Sequence, residues 1–120
     1  MSKKVMIVDD SRLVQRTMEQ YLAGTEFEVA GCCRNGESAL ELYLQCRPDV
    51  VTMDIVMPGI DGFSTARAIL EKDPNARILM ASSLAYEDTI DMAVKVGAKG
   101  FVFKPLEKDQ LLSALRAAFK

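Results

Sequence analysis

Five short apolar runs alternate with five stretches of helical periodicity, and few architectures accommodate that pattern. The runs are Val5-Met6-Ile7-Val8, Glu26-Phe27-Glu28-Val29, Val50-Val51-Thr52-Met53, Ile78-Leu79-Met80-Ala81 and Phe101-Val102-Phe103. Between and after them, apolar residues recur at helical spacing: Val14, Met18, Tyr21 and Leu22, then Leu40, Tyr43 and Leu44. The series continues with Phe63, Ala66, Ile69 and Leu70, then Ile90, Ala93 and Val94, and ends with Leu111, Leu112, Leu115, Ala118 and Phe119. Gly24, Asn35-Gly36, Pro48, Pro74 and Gly97 punctuate the segments. Strands and helices that alternate through short connections demand a parallel sheet covered by helices on both faces. The second run alternates polar and apolar residues, which suits a sheet edge. That favours an α/β, flavodoxin-like doubly wound (βα)5 fold with strand order 2-1-3-4-5. Residues 1–120 are expected to form a single domain, of a size that buries a core without disulfides.

The C-terminal ends of the strands carry the polar groups. The first run ends in Asp9-Asp10, the third in Asp54, the fourth in Ser82, and the fifth in Lys104-Pro105, with Pro105 a candidate for a cis peptide. Each has a bland explanation: a helix start at Asp9 and Asp10, a turn cap at Asp54, a cap at Ser82, a solvated lysine. In a 2-1-3-4-5 sheet, however, all of them converge on one rim, where such folds bind ligands. Unrelated surface residues would seldom place a polar group at every central strand end.

The chemistry open to that rim is narrow. There is no histidine, so a Ser-His-Asp triad, a Cys-His dyad and an imidazole-ligated metal are all excluded. Three gathered carboxylates repel one another, and a divalent cation relieves that repulsion. An all-oxygen donor set selects a hard ion, Mg²⁺ first, with Mn²⁺ as an alternative. A lysine and a hydroxyl beside it are what a phosphoryl group requires, and Asp54 could attack phosphorus to form an acyl phosphate.

The segments Val-Asp9-Asp10-Ser, Met-Asp54-Ile-Val-Met-Pro58-Gly-Ile-Asp61-Gly62, Met-Ala-Ser82 and Phe101-Val-Phe-Lys104-Pro105 resemble the receiver domain of two-component response regulators. The likeness runs the whole length, and is similar in particular to the stand-alone, CheY-like chemotaxis members. It implies a phosphorylation-activated signalling protein, not a turnover enzyme, that assists its own Mg²⁺-dependent phosphotransfer and autodephosphorylation. Asp54 would be the phosphoacceptor. Asp10, Asp54 and the backbone carbonyl of Val56 would hold Mg²⁺ directly, and Asp9 would act through a water. Lys104 would pair with the phosphate, Ser82 would move towards it, and Phe101 would follow as an aromatic switch. Val56 and Leu84 would govern water access and hence the lifetime of the phosphoryl group. Implied partners are a histidine kinase (CheA-like) and an output protein, such as a flagellar motor switch protein, on the face of the fourth helix, fifth strand and fifth helix. A phosphatase would be a further partner.

Two departures stand out: Phe101 replaces a frequent tyrosine, and Ser83 replaces a small residue. A receiver in a phosphorelay or another non-motility pathway is the alternative assignment. A haloacid-dehalogenase-type phosphohydrolase would need Asp-x-Asp after the first strand, and a flavin module would need a Ser/Thr-rich phosphate loop there. Neither pattern is present, nor is G-x-G-x-x-G or a Walker motif.

The remaining composition sets boundaries. A net charge of −2 argues against a nucleic-acid partner. No apolar stretch reaches the roughly 18 residues needed to span a membrane. Cys32, Cys33 and Cys46, three in number without C-x-x-C spacing, read as reduced structural thiols. A cytoplasmic monomer is expected.

Overall fold

The structure, a computed structural model, describes residues 2–83 and 87–120. Ten elements alternate strictly. They are β1 (Lys3–Val8), α1 (Arg12–Leu22), β2 (Phe27–Cys33), α2 (Gly36–Cys46), β3 (Val50–Asp54), α3 (Gly62–Lys72), β4 (Ile78–Ser82), α4 (Glu87–Val96), β5 (Gly100–Phe103) and α5 (Lys108–Ala117). All strand pairs are parallel, and the order is β2-β1-β3-β4-β5. The expected flavodoxin-like topology is therefore the observed one, with β2 on the edge.

The period-two geometry of a strand sends alternate residues to opposite faces, and the core divides accordingly. Met6, Val8, Val51, Met53, Ile78 and Met80 pack under α2, α3 and α4. Val5, Ile7, Val50, Leu79, Ala81 and Val102 pack under α1 and α5, against Met18, Leu22, Leu111 and Leu115. β3 and β4 are buried along their entire length, so their sequences are nearly continuous apolar runs, whereas edge β2 is half-buried.

Helix starts follow local chemistry. The Ser11 hydroxyl accepts the Val14 N–H, the Asn35 side-chain Oδ1 accepts that of Ser38, and the Asp61 carboxylate accepts that of Ser64. The C-terminus is anchored on the opposite end of the sheet from the acidic rim. There Lys3 and Arg77 each lie over the Phe119 ring, and Arg116 makes a bidentate pair with Glu26.

Helical spacing overstated the inner faces of two helices. Leu44 of α2 is exposed, and in α4 only Ala93 is buried, with Val94 71% exposed and Ile90 at the surface. Apart from Ala93 and half-buried Val96, which pack on the core, the apolar residues of α4 form an outward face. Among the described residues, no helix is long and apolar enough to cross a membrane.

Candidate functional site

β1 and β3 are neighbours whose following helices leave on opposite sides of the sheet, which opens a crevice at their C-terminal ends. Asp9, Asp10 and Asp54 meet in this crevice. One carboxylate oxygen from each lies within 4.8 Å of the others, with Asp9 and Asp54 buried and Asp10 half-buried. Lys104 arrives from the end of β5, and its Nζ donates to Asp9 Oδ2 at 2.7 Å and to Asp54 Oδ1 at 3.1 Å. The Lys104–Pro105 peptide bond is cis. Ser82 is buried at the end of β4, where its carbonyl accepts the Lys104 backbone N–H at 3.0 Å.

The backbone under these groups is tied down by side chains. Gln15 Nε2 donates to the carbonyls of Asp9 and Cys33, closing the ends of β1 and β2 together. The Ser11 N–H donates to Asp9 Oδ1, and Arg34 Nε to the Asp10 carbonyl. On the β3 side, Gly62 is so close to the Asp54 carbonyl that a Cβ there would overlap backbone, and its N–H donates to the Ile55 carbonyl at 2.8 Å. Gln15 and Arg34 have no sequence signature. Their partners are main-chain carbonyls brought near only by sheet pairing.

Val56 lies two residues beyond Asp54 and is 61% exposed. Phe101 is half-buried against the α2/α3/α4 core cluster, with its ring centroid 5.1 Å from that of exposed Phe103. It borders a groove of about 190 Å³ lined with Ile90, Ala93, Val94 and Gly100. Leu84 lies outside the described residues.

Electrostatics separates the members of the cluster. Burial, then the charge of Asp9, pushes the Asp54 carboxyl up to about 6, against the opposing pull of Lys104. Burial pulls the Lys104 ammonium pKa down, but pairing with Asp9 and then Asp54 outweighs it, so the net shift is upward and the lysine stays charged. The donor set is all oxygen, concave and anionic, with one fixed cation. It fits a hard divalent ion such as Mg²⁺ and offers no soft ligand. The nearest thiols contribute nothing to such a site. Burial and the Glu19 carboxylate push Cys32 up to about 11, and burial raises Cys33 as well, so both stay protonated.

The raised Asp54 pKa has a consequence for stability. The folded state holds this proton more tightly than the unfolded chain, so ionisation weakens the fold. The loss begins as pH rises past the ordinary value of 3.8 and is complete above about 6. Asp54→Asn, which cannot ionise, should therefore stabilise the metal-free protein at pH 7.5 by roughly 1–3 kcal/mol, and the gain should fade below about pH 4. Urea unfolding in EDTA at both pH values measures it. A variant no more stable than wild type at pH 7.5 would contradict the electrostatic account.

Comparison with known proteins agrees with this arrangement. Residues 5–116 match the response regulator receiver domain. The chain is 37% identical to the chemotaxis protein CheY of Thermotoga maritima over 120 residues, 100% of both chains. Its structure superposes on that of CheY in a CheX-CheY-BeF3-Mg²⁺ complex from Borrelia burgdorferi. There the TM-score is 0.94 at 33% identity, covering 98% of this chain and 90% of the other. A LuxR-family two-component response regulator from Aurantimonas gives a TM-score of 0.91 at 28% identity, covering 98% and 84%. An acidic crevice at the switch point of a 2-1-3-4-5 sheet and a sequence match over nearly the whole chain lead to one conclusion: the chain belongs to the response regulator receiver domain family of two-component signalling, among its chemotaxis-type regulators.

Proposed function

We propose that this chain is a phosphorylation-activated switch that accepts a phosphoryl group on Asp54 from the phosphohistidine of a kinase and then binds an output partner, in a chemotaxis or flagellar-motor pathway. The observation that carries the reading is the Lys104 ammonium bridging Asp9 and Asp54 with a third carboxylate, Asp10, beside them. An Asp54 oxygen attacks phosphorus, the P–N bond breaks, and its electron pair leaves with the imidazole nitrogen, which is left to take a proton from solvent. Asp10, Asp54 and the Val56 carbonyl are the candidates to hold Mg²⁺ directly, with Asp9 acting through water. A bound divalent cation supplies positive charge against the crowded carboxylates and the phosphoryl oxygens. Lys104 exchanges its Asp54 contact for a phosphoryl oxygen while Asp9 keeps the ammonium in the crevice. The Borrelia complex, which contains a similar chain together with beryllofluoride and Mg²⁺, supports this reading.

Activation would draw the Ser82 hydroxyl towards the phosphoryl group and let the Phe101 ring turn into the vacated space. A charge-assisted hydrogen bond contributes about 1.5–3 kcal/mol. That shifts a two-state equilibrium by roughly one to two decades. The face of α4, β5 and α5, where Val94, Ile90 and Phe103 stand exposed, is the candidate output surface, and a phosphatase is a further candidate partner.

Asp54→Asn should abolish Mg²⁺-dependent labelling by acetyl phosphate, and uptake at the wild-type rate would refute the acceptor assignment. Ser82→Ala should still take up label but lose roughly tenfold or more of its phosphate-dependent affinity for the partner captured with beryllofluoride. Unchanged affinity would remove Ser82 from the switch. The apolar Val56 side chain cannot orient a water for in-line attack on phosphorus. Phosphoryl loss should accordingly be several-fold faster in Val56→Asn, followed as label release in Mg²⁺, and an equal or slower rate would exclude a shielding role.

A further inference from the structure

Residues 55–61 must present the Val56 carbonyl, yet the Val56 side chain is exposed and gives the loop no anchor of its own. The loop is held elsewhere. At its base, Ile55 and Met57 are buried and Gly62 closes onto Asp54. At its crest, Glu37 Oε1, from the first turn of α2, accepts the Ile60 N–H at 3.0 Å. The same carboxylate lies against Gly59, which has φ +79° and where a Cβ would meet Glu37 Oε1. Two independent features of Gly59, its left-handed backbone and its contact with Glu37, thus serve one arrangement. The adjacent Gly36 packs on the Thr65 hydroxyl of α3 and against the Ile60 carbonyl, so the start of α2 is docked on the end of the loop. A carboxylate at a helix N-terminus is itself held by the helix dipole, which makes Glu37 a stable post.

We infer that Glu37 is a positioning residue: by holding the Ile60 amide it fixes the 55–61 loop in the shape that offers the Val56 carbonyl to a cation beside Asp10 and Asp54. It thereby sets cation affinity. The inference rests on the cation site proposed above. It concerns a residue on a different element, 23 positions before Ile60 in the chain.

The test uses wild type, Glu37→Ala and Glu37→Gln, comparing amide hydrogen exchange at Ile60 without metal and the Mg²⁺ dissociation constant by calorimetry. Glu37→Ala should speed Ile60 exchange and weaken Mg²⁺ binding by about 3- to 10-fold. Glu37→Gln keeps an oxygen acceptor and should stay within about twofold of wild type on both. Equal Mg²⁺ affinity in Glu37→Ala and wild type would overturn the inference. So would a Gln variant as weak as the Ala variant, because the effect would then be one of charge and not of the hydrogen bond. If wild type itself bound no Mg²⁺, the cation site would fall instead, and with it any role of Glu37 towards a cation. Exchange at Ile60 separates the cases, since it reports the tie without metal.

Discussion

The crevice depends on one ammonium group. Asp9 and Asp54 are nearly inaccessible to water, and Asp10 adds a third negative charge within reach of both. Such a gathering would disrupt the ends of β1 and β3 were it not for Lys104, which reaches from beyond β4 to pair with both buried members. The arrangement is costly by design: Asp54 keeps a raised pKa even with the lysine in place. Electrostatic tension of this kind marks functional sites more often than structural ones. Under the proposed function, a cation or a phosphoryl group in the crevice would act on this same tension.

Around this centre the scaffold is asymmetric. On the β1 and β3 sides, main chain and side chains interlock: Gln15 bridges two strand ends, Arg34 holds the Asp10 carbonyl, and Gly62 lies flat on Asp54. On the β4 and β5 side the packing is sparser. α4 packs on the core through Ala93 and half-buried Val96, and Phe101 is half-buried beside an open groove.

Much of this was legible in the sequence because it follows from short-range rules. Apolar runs bounded by turn residues located the strands, Asn35-Gly36 marked the break before a helix, and the polar residue at each strand end followed from topology. The failures share a cause. Leu44, Ile90 and Val94 have helical spacing, but periodicity cannot tell a stripe that faces the core from one that faces outward. The contacts of Gln15, Arg34 and Glu37 were invisible for a different reason. Each binds a backbone group of another segment, and backbone groups carry no residue identity for a pattern to detect.

The shallow seating of α4 has a consequence for how such a chain can diversify. Since its outward residues contribute little to the hydrophobic interior, exchanging Ile90, Met92 or Val94 alters what the molecule displays while leaving the buried interior intact. If that helix is part of the output surface proposed above, a duplicated copy could acquire a new listener by drifting there alone, with the acidic crevice and the sheet untouched. The proposed chemistry and the proposed output surface would then be carried by separate parts of the chain, free to evolve at different rates.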